Sequence, residues 1–477
     1  MPNWFVSPTG NDANSGAIEA SFKTIGKALT VAQSNDTIYL RAGVYRELAN
    51  AYGTPAGITI AAYESEDVTW SAFDKISSNF TIHSGSGNTA IWKTVIPSNL
   101  FQGLGKTIVL ANGILLQEAR WPKTDINNLF PTPEYSTSGS SNLNNGSYTT
   151  TNNLPATVPN NSKINFCAGG QWGWQTGTIT GRSGNTVNFS FNPATNYGDA
   201  CLPTQGDRFF LWGNLAYLTQ NGEFFIDNSN PSSIVLYLRL PDGSDPNKAS
   251  IEVKARNGLF NPWDAPSSTW GKQNYKLQKI KFIGAPILLG DASNGWEFYK
   301  CQFKYIGFAW DISNHSRPNN YHEDNLVISG KNHKIVNCYF QNFGSGVILV
   351  GENLEFTNNL VENMNICGFN QSGIGVGSSS LVSRNVSLIA NTVRYCGRSG
   401  FGLYNTKQFT IRNNEIYTYN LLTKDNGGIY SVGEENPPHY DSEGGEVAWN
   451  KIYDDRSDKY PTALYFDFGC GSNANAP

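Results

Sequence analysis

One pattern recurs six times between residues 295 and 469. Each copy holds a short β-type run, an Asn or Cys, two further residues that are often apolar, and a small-residue turn. The cores are Tyr299-Lys300-Cys301-Gln302-Phe303, Val336-Asn337-Cys338-Tyr339-Phe340, Asn358-Asn359-Leu360-Val361, Ala390-Asn391-Thr392-Val393, Asn413-Asn414-Glu415-Ile416 and Trp449-Asn450-Lys451-Ile452. Aligned on Cys301, Cys338, Asn359, Asn391, Asn414 and Asn450, the steps are 37, 21, 32, 23 and 36 residues. The shortest step is too small for strand–helix–strand units, which need about 30 residues each. Runs rich in Val, Ile, Phe and Tyr between Gly, Asn and Ser have strand composition. Short strands repeated at this spacing stack as the coils of a solenoid, so the expected fold is all-β, a parallel β-helix.

Asn suits a sharp bend because it tolerates left-handed backbone angles and bonds its own neighbourhood. Stacked on successive coils, the four Asn predict a side-chain ladder that Cys301 and Cys338 extend as small buried residues. A second column follows in the same copies: Gly346-Val347-Ile348, Gly373-Ile374-Gly375, Gly400-Phe401-Gly402, Gly428-Ile429-Tyr430 and Ala463-Leu464-Tyr465. It reads as a second parallel sheet whose small first residues let coils approach closely.

The rest of the chain divides around this block. Residues 1–96 read as a cap and the first coils. Ile25, Ala28, Leu29 and Ala32 share one face of a short helix, and an open β-helix end needs such a cover. Strand runs follow at Thr37–Leu40, Ile58–Ala62 and Val68–Trp70. Over 97–255 the Asn column vanishes and longer runs appear at Lys106–Leu110, Arg208–Trp212 and Ser233–Leu240. This is the expected inserted antiparallel β domain, with Ser136–Asn153 as one long exposed loop. The main coils are expected over 256–477. The stop at Gly471–Pro477, with no capping helix, reads as a truncation.

Composition narrows the partners. A formal net charge of −4 provides no basic field for nucleic acid. No apolar run approaches the roughly 18 residues of a membrane-spanning helix. Charged residues are 15% of the chain, against about 25% in an average domain, which suits a secreted all-β protein. No signal peptide is read at Met1-Pro2. Of seven Cys, Cys167 and Cys201 are a candidate disulfide in a secreted chain, and Cys301, Cys338, Cys367 and Cys396 are expected as buried thiols. No Cys/His set has zinc spacing, so no metal cofactor is expected.

Several motifs carry a family resemblance. The opening Trp4-Phe5-Val6-Ser7-Pro8-Thr9-Gly10-Asn11-Asp12, with Phe22-Lys23-Thr24-Ile25 and Asp36-Thr37-Ile38-Tyr39-Leu40-Arg41-Ala42-Gly43, resembles the start of right-handed parallel β-helix carbohydrate enzymes. Ala119-Arg120-Trp121-Pro122 and Pro241-Asp242-Gly243 resemble their inserted domain. Thr423-Lys424-Asp425-Asn426-Gly427-Gly428-Ile429-Tyr430 and Tyr465-Phe466-Asp467-Phe468-Gly469 resemble late coils of β-helix glycoside hydrolases of the β-xylosidase, xylanase and α-fucosidase type. The resemblance implies a right-handed helix, an oligo- or polysaccharide substrate, and secretion or periplasmic export. No cofactor is expected, with a structural or substrate-bridging calcium left open.

Glycoside hydrolysis needs two carboxyl groups about the scissile bond. Two aspartates break the repeat, where a structural ladder would recur. Asp425 stands where earlier copies have Asn370 and Gly397. Asp467 stands where they have Val350, Gly377, Tyr404 and Val432. These are the expected catalytic pair, with Glu434, Glu435 and Glu443 as reserve acids in the insert between them. Substrate contacts are assigned to Tyr430, Tyr465, His439, His322, Trp310 and Arg398. Trp174, Trp263, Trp270 and Trp296 are further sugar-stacking candidates, weighed against roles in the core. The rival reaction is lyase chemistry on a uronate polymer, which needs a tuned base such as Lys331 or Lys334 with Arg398 or Arg412 nearby. A lyase groove would be basic, and this chain is mildly acidic. A non-catalytic glycan-binding solenoid is the third alternative.

Overall fold

A computed structural model describes residues 3–142, 144–192, 198–262, 273–312, 325–378, 382–432, 442–457 and 461–467. The late coils are stacked parallel strands on three faces. The first face runs through Leu326–Lys331, Val347–Thr357, Ile374–Val376, Phe401–Tyr404, Ile429–Val432 and Leu464–Phe466, all in register. The second runs through Lys276–Gln278, Glu297–Tyr299, Lys334–Val336, the far half of Val347–Thr357, Ser383–Ile389, Thr410–Arg412 and Glu446–Ala448. The third runs from Gly43–Tyr45 and Val68–Ser71 through Lys281–Ile283 to Lys451–Asp455. The long strand Val347–Thr357 serves two faces because Gly351, at φ 137°, turns it where Cβ would sit 1.7 Å from the Gly330 carbonyl. The fold is a right-handed parallel β-helix.

Side chains alternate in and out along each strand, and the inward ones stack by coil. Phe282, Phe303 and Phe340 are register partners with ring centroids 5.1 and 5.0 Å apart. The Asn column forms the expected ladder. Asn450 Oδ1 accepts from Asn414 Nδ2, Asn414 Oδ1 from Asn391 Nδ2, and Asn391 Oδ1 from Asn359 Nδ2, at 2.9–3.1 Å. Each Asn Nδ2 also donates to a main-chain carbonyl of the second face: Ile335, Phe356, Leu388 and Ile411 in turn. Cys301 and Cys338 give their thiols to the equivalent carbonyls, Leu277 and Phe298. A small polar hydrogen donor is what the column shares.

The bend itself is made one residue earlier than the repeat alignment places it. Lys300, Asn337, Asn358, Ala390, Asn413 and Trp449 hold φ of 53–59°. The column Asn turns its side chain inward, and its predecessor takes the left-handed angle. An outer ladder of Asn332, Asn353 and Asn385 marks another corner, at φ 53–58°.

The helix Ile25–Val31 covers the first coil as expected, with Ile25, Ala28, Leu29 and Ala32 all buried in the coil core. Thr24 caps it, and Glu47 accepts from the Ile25 and Gly26 amides. The inserted unit is mainly antiparallel, with Gln117–Glu118 parallel to Glu223–Asp227, and strands that pair with it occur before residue 97. Phe73–Lys75 pairs with Ile251–Lys254, and Ile91–Ile96 pairs with Ile234–Leu238. A short alternating run looks alike in either kind of sheet, and its distant partner is invisible locally. The stretch 136–153 is no exposed loop. Ser138–Asn142 and Asn145–Thr149 form a hairpin whose Tyr148 is fully buried against Phe209 and donates to Asp207. Cys167 and Cys201 are buried free thiols and form no disulfide. Cys301, Cys338, Cys367 and Cys396 are buried free thiols, as expected. No helix among the described residues is long and apolar enough to cross a membrane.

One buried group makes stability depend on pH. His333 is fully buried, its Nδ1 accepting from the Trp296 amide and its Nε2 facing the Ser329 carbonyl. Burial lowers its pKa to about 4, only partly opposed by the Ser329 bond. The unfolded chain takes up this proton near pH 6.5 and the folded chain does not, so stability falls as pH drops from about 6.5 to 4. The expected loss is about 3 kcal/mol between pH 7 and 4, at 1.36 kcal/mol per pKa unit. His333→Gln keeps a donor and an acceptor without titrating. Urea unfolding of the two proteins should diverge by this amount, and parallel pH profiles would refute the assignment.

Candidate active site

The two repeat-breaking aspartates flank the first-face strands of the last two coils, Asp425 before Ile429–Val432 and Asp467 after Leu464–Phe466. Asp425 ends a turn that runs from the third face into Ile429–Val432, and it takes φ 63° there. Asn426 bonds Thr423 Oγ1 and the Lys424 carbonyl and braces the turn from inside. The Gly pair that follows is required by close approach. A Cβ on Gly427 would lie 2.9 Å from the Tyr465 amide, and one on Gly428 would lie 2.4 Å from Ile452. Asp467 follows Leu464–Phe466 and donates its amide to the Ser431 carbonyl at 2.8 Å.

Two tyrosines link the pair. Tyr430 and Tyr465 are register partners on adjacent coils, with ring centroids 5.7 Å apart. Tyr430 OH donates to Asp467 Oδ2 at 2.6 Å, and Tyr465 OH donates to Asp425 Oδ1 at 2.9 Å. Each aspartate is therefore held by the tyrosine of the other's coil. Burial pushes the Tyr430 hydroxyl far above the ordinary phenol range, although Arg398 pulls it down, so it remains a proton donor. The Arg398 guanidinium lies 4.5 Å from the Tyr430 ring centroid. Gly375 and Gly402 occupy the register positions before Tyr430, so those two positions add no side chain beside the tyrosine pair.

The inserted unit reaches the same place. Trp172 Nε1 donates to Asp425 Oδ2 at 2.9 Å. Sequence reasoning named Trp174 and missed Trp172. The signal was present in Gly169-Gly170-Gln171-Trp172-Gly173-Trp174, two indoles in a glycine turn. Tyr404 was also missed. It is 6% exposed, lies 6.4 Å from the Tyr430 ring, and its hydroxyl has no partner among the described residues.

The other expected residues divide. Glu443 is exposed and ion-paired with Lys407 at 2.9 Å on the flank of the coil. Glu434, Glu435, His439, His322, Trp263 and Trp270 lie outside the described residues. Trp310 is no sugar platform. It is 5% exposed in the core between coils and inserted unit, with Arg120 4.2 Å over its ring and Phe210 against its edge. Trp174 and Trp296 are likewise buried. The lysines weighed for lyase chemistry are exposed and ion-paired coil to coil, Lys331 with Glu352 and Lys334 with Glu355; Arg412 pairs with Glu446. Among the described residues, no three His, Cys, Asp or Glu side chains gather as a metal site.

With this geometry in place, comparison with known proteins defines the fold class. Residues 283–441 match the family described as right handed beta helix region, and residues 8–53 match a protein of unknown function family, DUF1565. A solved structure described as a glycoside hydrolase superposes with a TM-score of 0.62 at 14% identity, over 98% of this chain and 96% of that one. The complex of XylC with xylose gives 0.55 at 15% identity, over 98% and 68%. These likenesses fix the fold. A 69-residue stretch is 39% identical to pectate lyase PEL9 of Emericella nidulans. It covers 13% of this chain and spans only 17% of the length of that curated relative.

Proposed function

We propose that the chain is a secreted or periplasmic glycoside hydrolase acting on a neutral oligo- or polysaccharide, with Asp425 and Asp467 as its catalytic carboxyl pair. The carrying observation is that these two aspartates, which alone break the repeat at their positions, are cross-linked through Tyr430 and Tyr465 on neighbouring coils. One carboxyl protonates the departing glycosidic oxygen as the bond from that oxygen to the anomeric carbon breaks. The other acts at the anomeric carbon as nucleophile, or takes a proton from the water whose oxygen bonds there. Tyr465, half-buried, would line the sugar subsite, with Tyr430 and Arg398, at 5% and 2% exposure, packed behind it to hold the pair.

The match to a pectate lyase keeps elimination as the rival reading. Product analysis separates the two. Neutral glycans, β-xylosides and α-fucosides first, and polygalacturonate are each incubated with the protein. New reducing ends without ultraviolet absorbance are expected from a neutral glycan. An unsaturated, ultraviolet-absorbing product from polygalacturonate would overturn the hydrolase reading, and binding without turnover across the panel would leave a non-catalytic solenoid.

A further inference from the structure

The inserted unit grips the turn that carries Asp425 at several points. Lys424 N donates to the Gln171 carbonyl, and Trp174 Nε1 donates to the Leu422 carbonyl, both at 2.9 Å. Trp174 N donates to the Gly368 carbonyl two coils earlier, also at 2.9 Å. Gly368 accepts this approach because it has no side chain, since a Cβ there would lie 2.2 Å from Trp174 Cδ1. Trp174 and Leu422 are buried in the same mixed core. The turn itself is pre-bent, with Gln171 at φ 55° and Gly169 at φ 54°. Trp172 is therefore delivered on a locked support, and it is half-buried where it meets Asp425.

We propose that Trp172 is a positioning residue for Asp425, so that the inserted unit completes the active site of the β-helix. This inference rests on the reading of Asp425 as catalytic. A carboxyl group turns freely about its last torsion unless both oxygens are held. Tyr465, from the coil, holds Oδ1, and Trp172, from the insert, holds Oδ2. An indole N–H donates and never accepts, so its bond admits one orientation. Catalytic groups must keep their geometry within a fraction of an ångström, and small misplacements cost large factors in rate. The coil alone supplies half of that constraint. Trp174, two residues on, makes the structural contacts, which separates docking from positioning within one turn.

The test compares Trp172→Phe, which loses the donor, with Trp172→His, which keeps a ring N–H, and with Trp174→Phe. Kinetics use whichever p-nitrophenyl glycoside the wild type turns over, starting with the β-xyloside. Trp172→Phe should lose about 10- to 100-fold in kcat with KM within about threefold, the range a misplaced catalytic group produces. Trp172→His should recover part of the loss, and the unfolding midpoints of both variants should stay near wild type. Trp174→Phe should lower the midpoint instead. A second readout needs no activity. The Trp172 indole N–H should be protected from hydrogen exchange in the wild type and lose that protection in Asp425→Ala. Wild-type kcat in Trp172→Phe, with Asp425→Asn inactive, overturns the positioning role and leaves the hydrolase reading intact. Full activity in Asp425→Asn overturns both. An unprotected indole in the wild type overturns the contact itself.

Discussion

Asp425→Asn and Asp467→Asn are each expected to lower turnover by about 10²- to 10⁴-fold, the usual contribution of one general acid or base. In Asp425→Asn the amide oxygen can accept from Trp172 while the NH2 donates to the Tyr465 hydroxyl, and in Asp467→Asn the oxygen still accepts from Tyr430, so the coils stay stacked. Neither aspartate belongs to the Asn ladder or to the buried core. The loss should therefore appear in kcat while the unfolding midpoint moves little. The double variant should be no worse than the weaker single one, because a pair acting as one unit is strongly non-additive. Activity within tenfold of wild type in either single variant would remove that aspartate from the catalytic pair.

The largest stability effect is expected at Asn391. Its Oδ1 accepts from both the Asn359 amide and Asn359 Nδ2, and its Nδ2 donates to the Phe356 carbonyl and to Asn414 Oδ1. Asn391 is 1% exposed, so water cannot replace these partners. Asn391→Ala leaves several buried groups unmet, each costing about 1–3 kcal/mol, and a total loss of about 3 kcal/mol or more is expected. The outer ladder makes the contrast. Asn353 bonds Asn332 at the exposed corner, and its loss should cost about 1 kcal/mol, mainly from placing Ala in a left-handed angle. Chemical denaturation of both variants measures the difference. Equal midpoints would mean that the inner ladder contributes no more than the outer one.

Much of the molecule is legible in its amino-acid order. The Asn and Cys column, the parallel first face and the terminal helix follow from spacing and residue type, because a coil repeats every contact with its neighbour at a fixed offset. The same regularity makes Asp425 and Asp467 visible as exceptions. Where sequence and structure part, the deciding partner is remote. Ser136–Asn153 reads as a loop because its polar residues alternate only weakly, yet Tyr148 is buried by Phe209 across the inserted sheet. Trp310 reads as a sugar platform because nothing near it in the chain shows that Arg120 covers it. The candidate disulfide assumes that secretion sets the state of Cys167 and Cys201, whereas each thiol is simply buried.

By itself, then, the sequence determined the solenoid, its internal ladder and which two carboxylates depart from it, since these rest on periodicity within a few tens of residues. The tertiary structure decided how those carboxylates are held. Tyr430 meets Asp467 and Tyr465 meets Asp425 only once coils stack. Trp172 meets Asp425 across 253 residues of chain only because the inserted unit docks on the turn at Leu422 and Lys424. No local pattern encodes that contact. It arises from apolar burial between two separately patterned surfaces, which a repeat cannot announce.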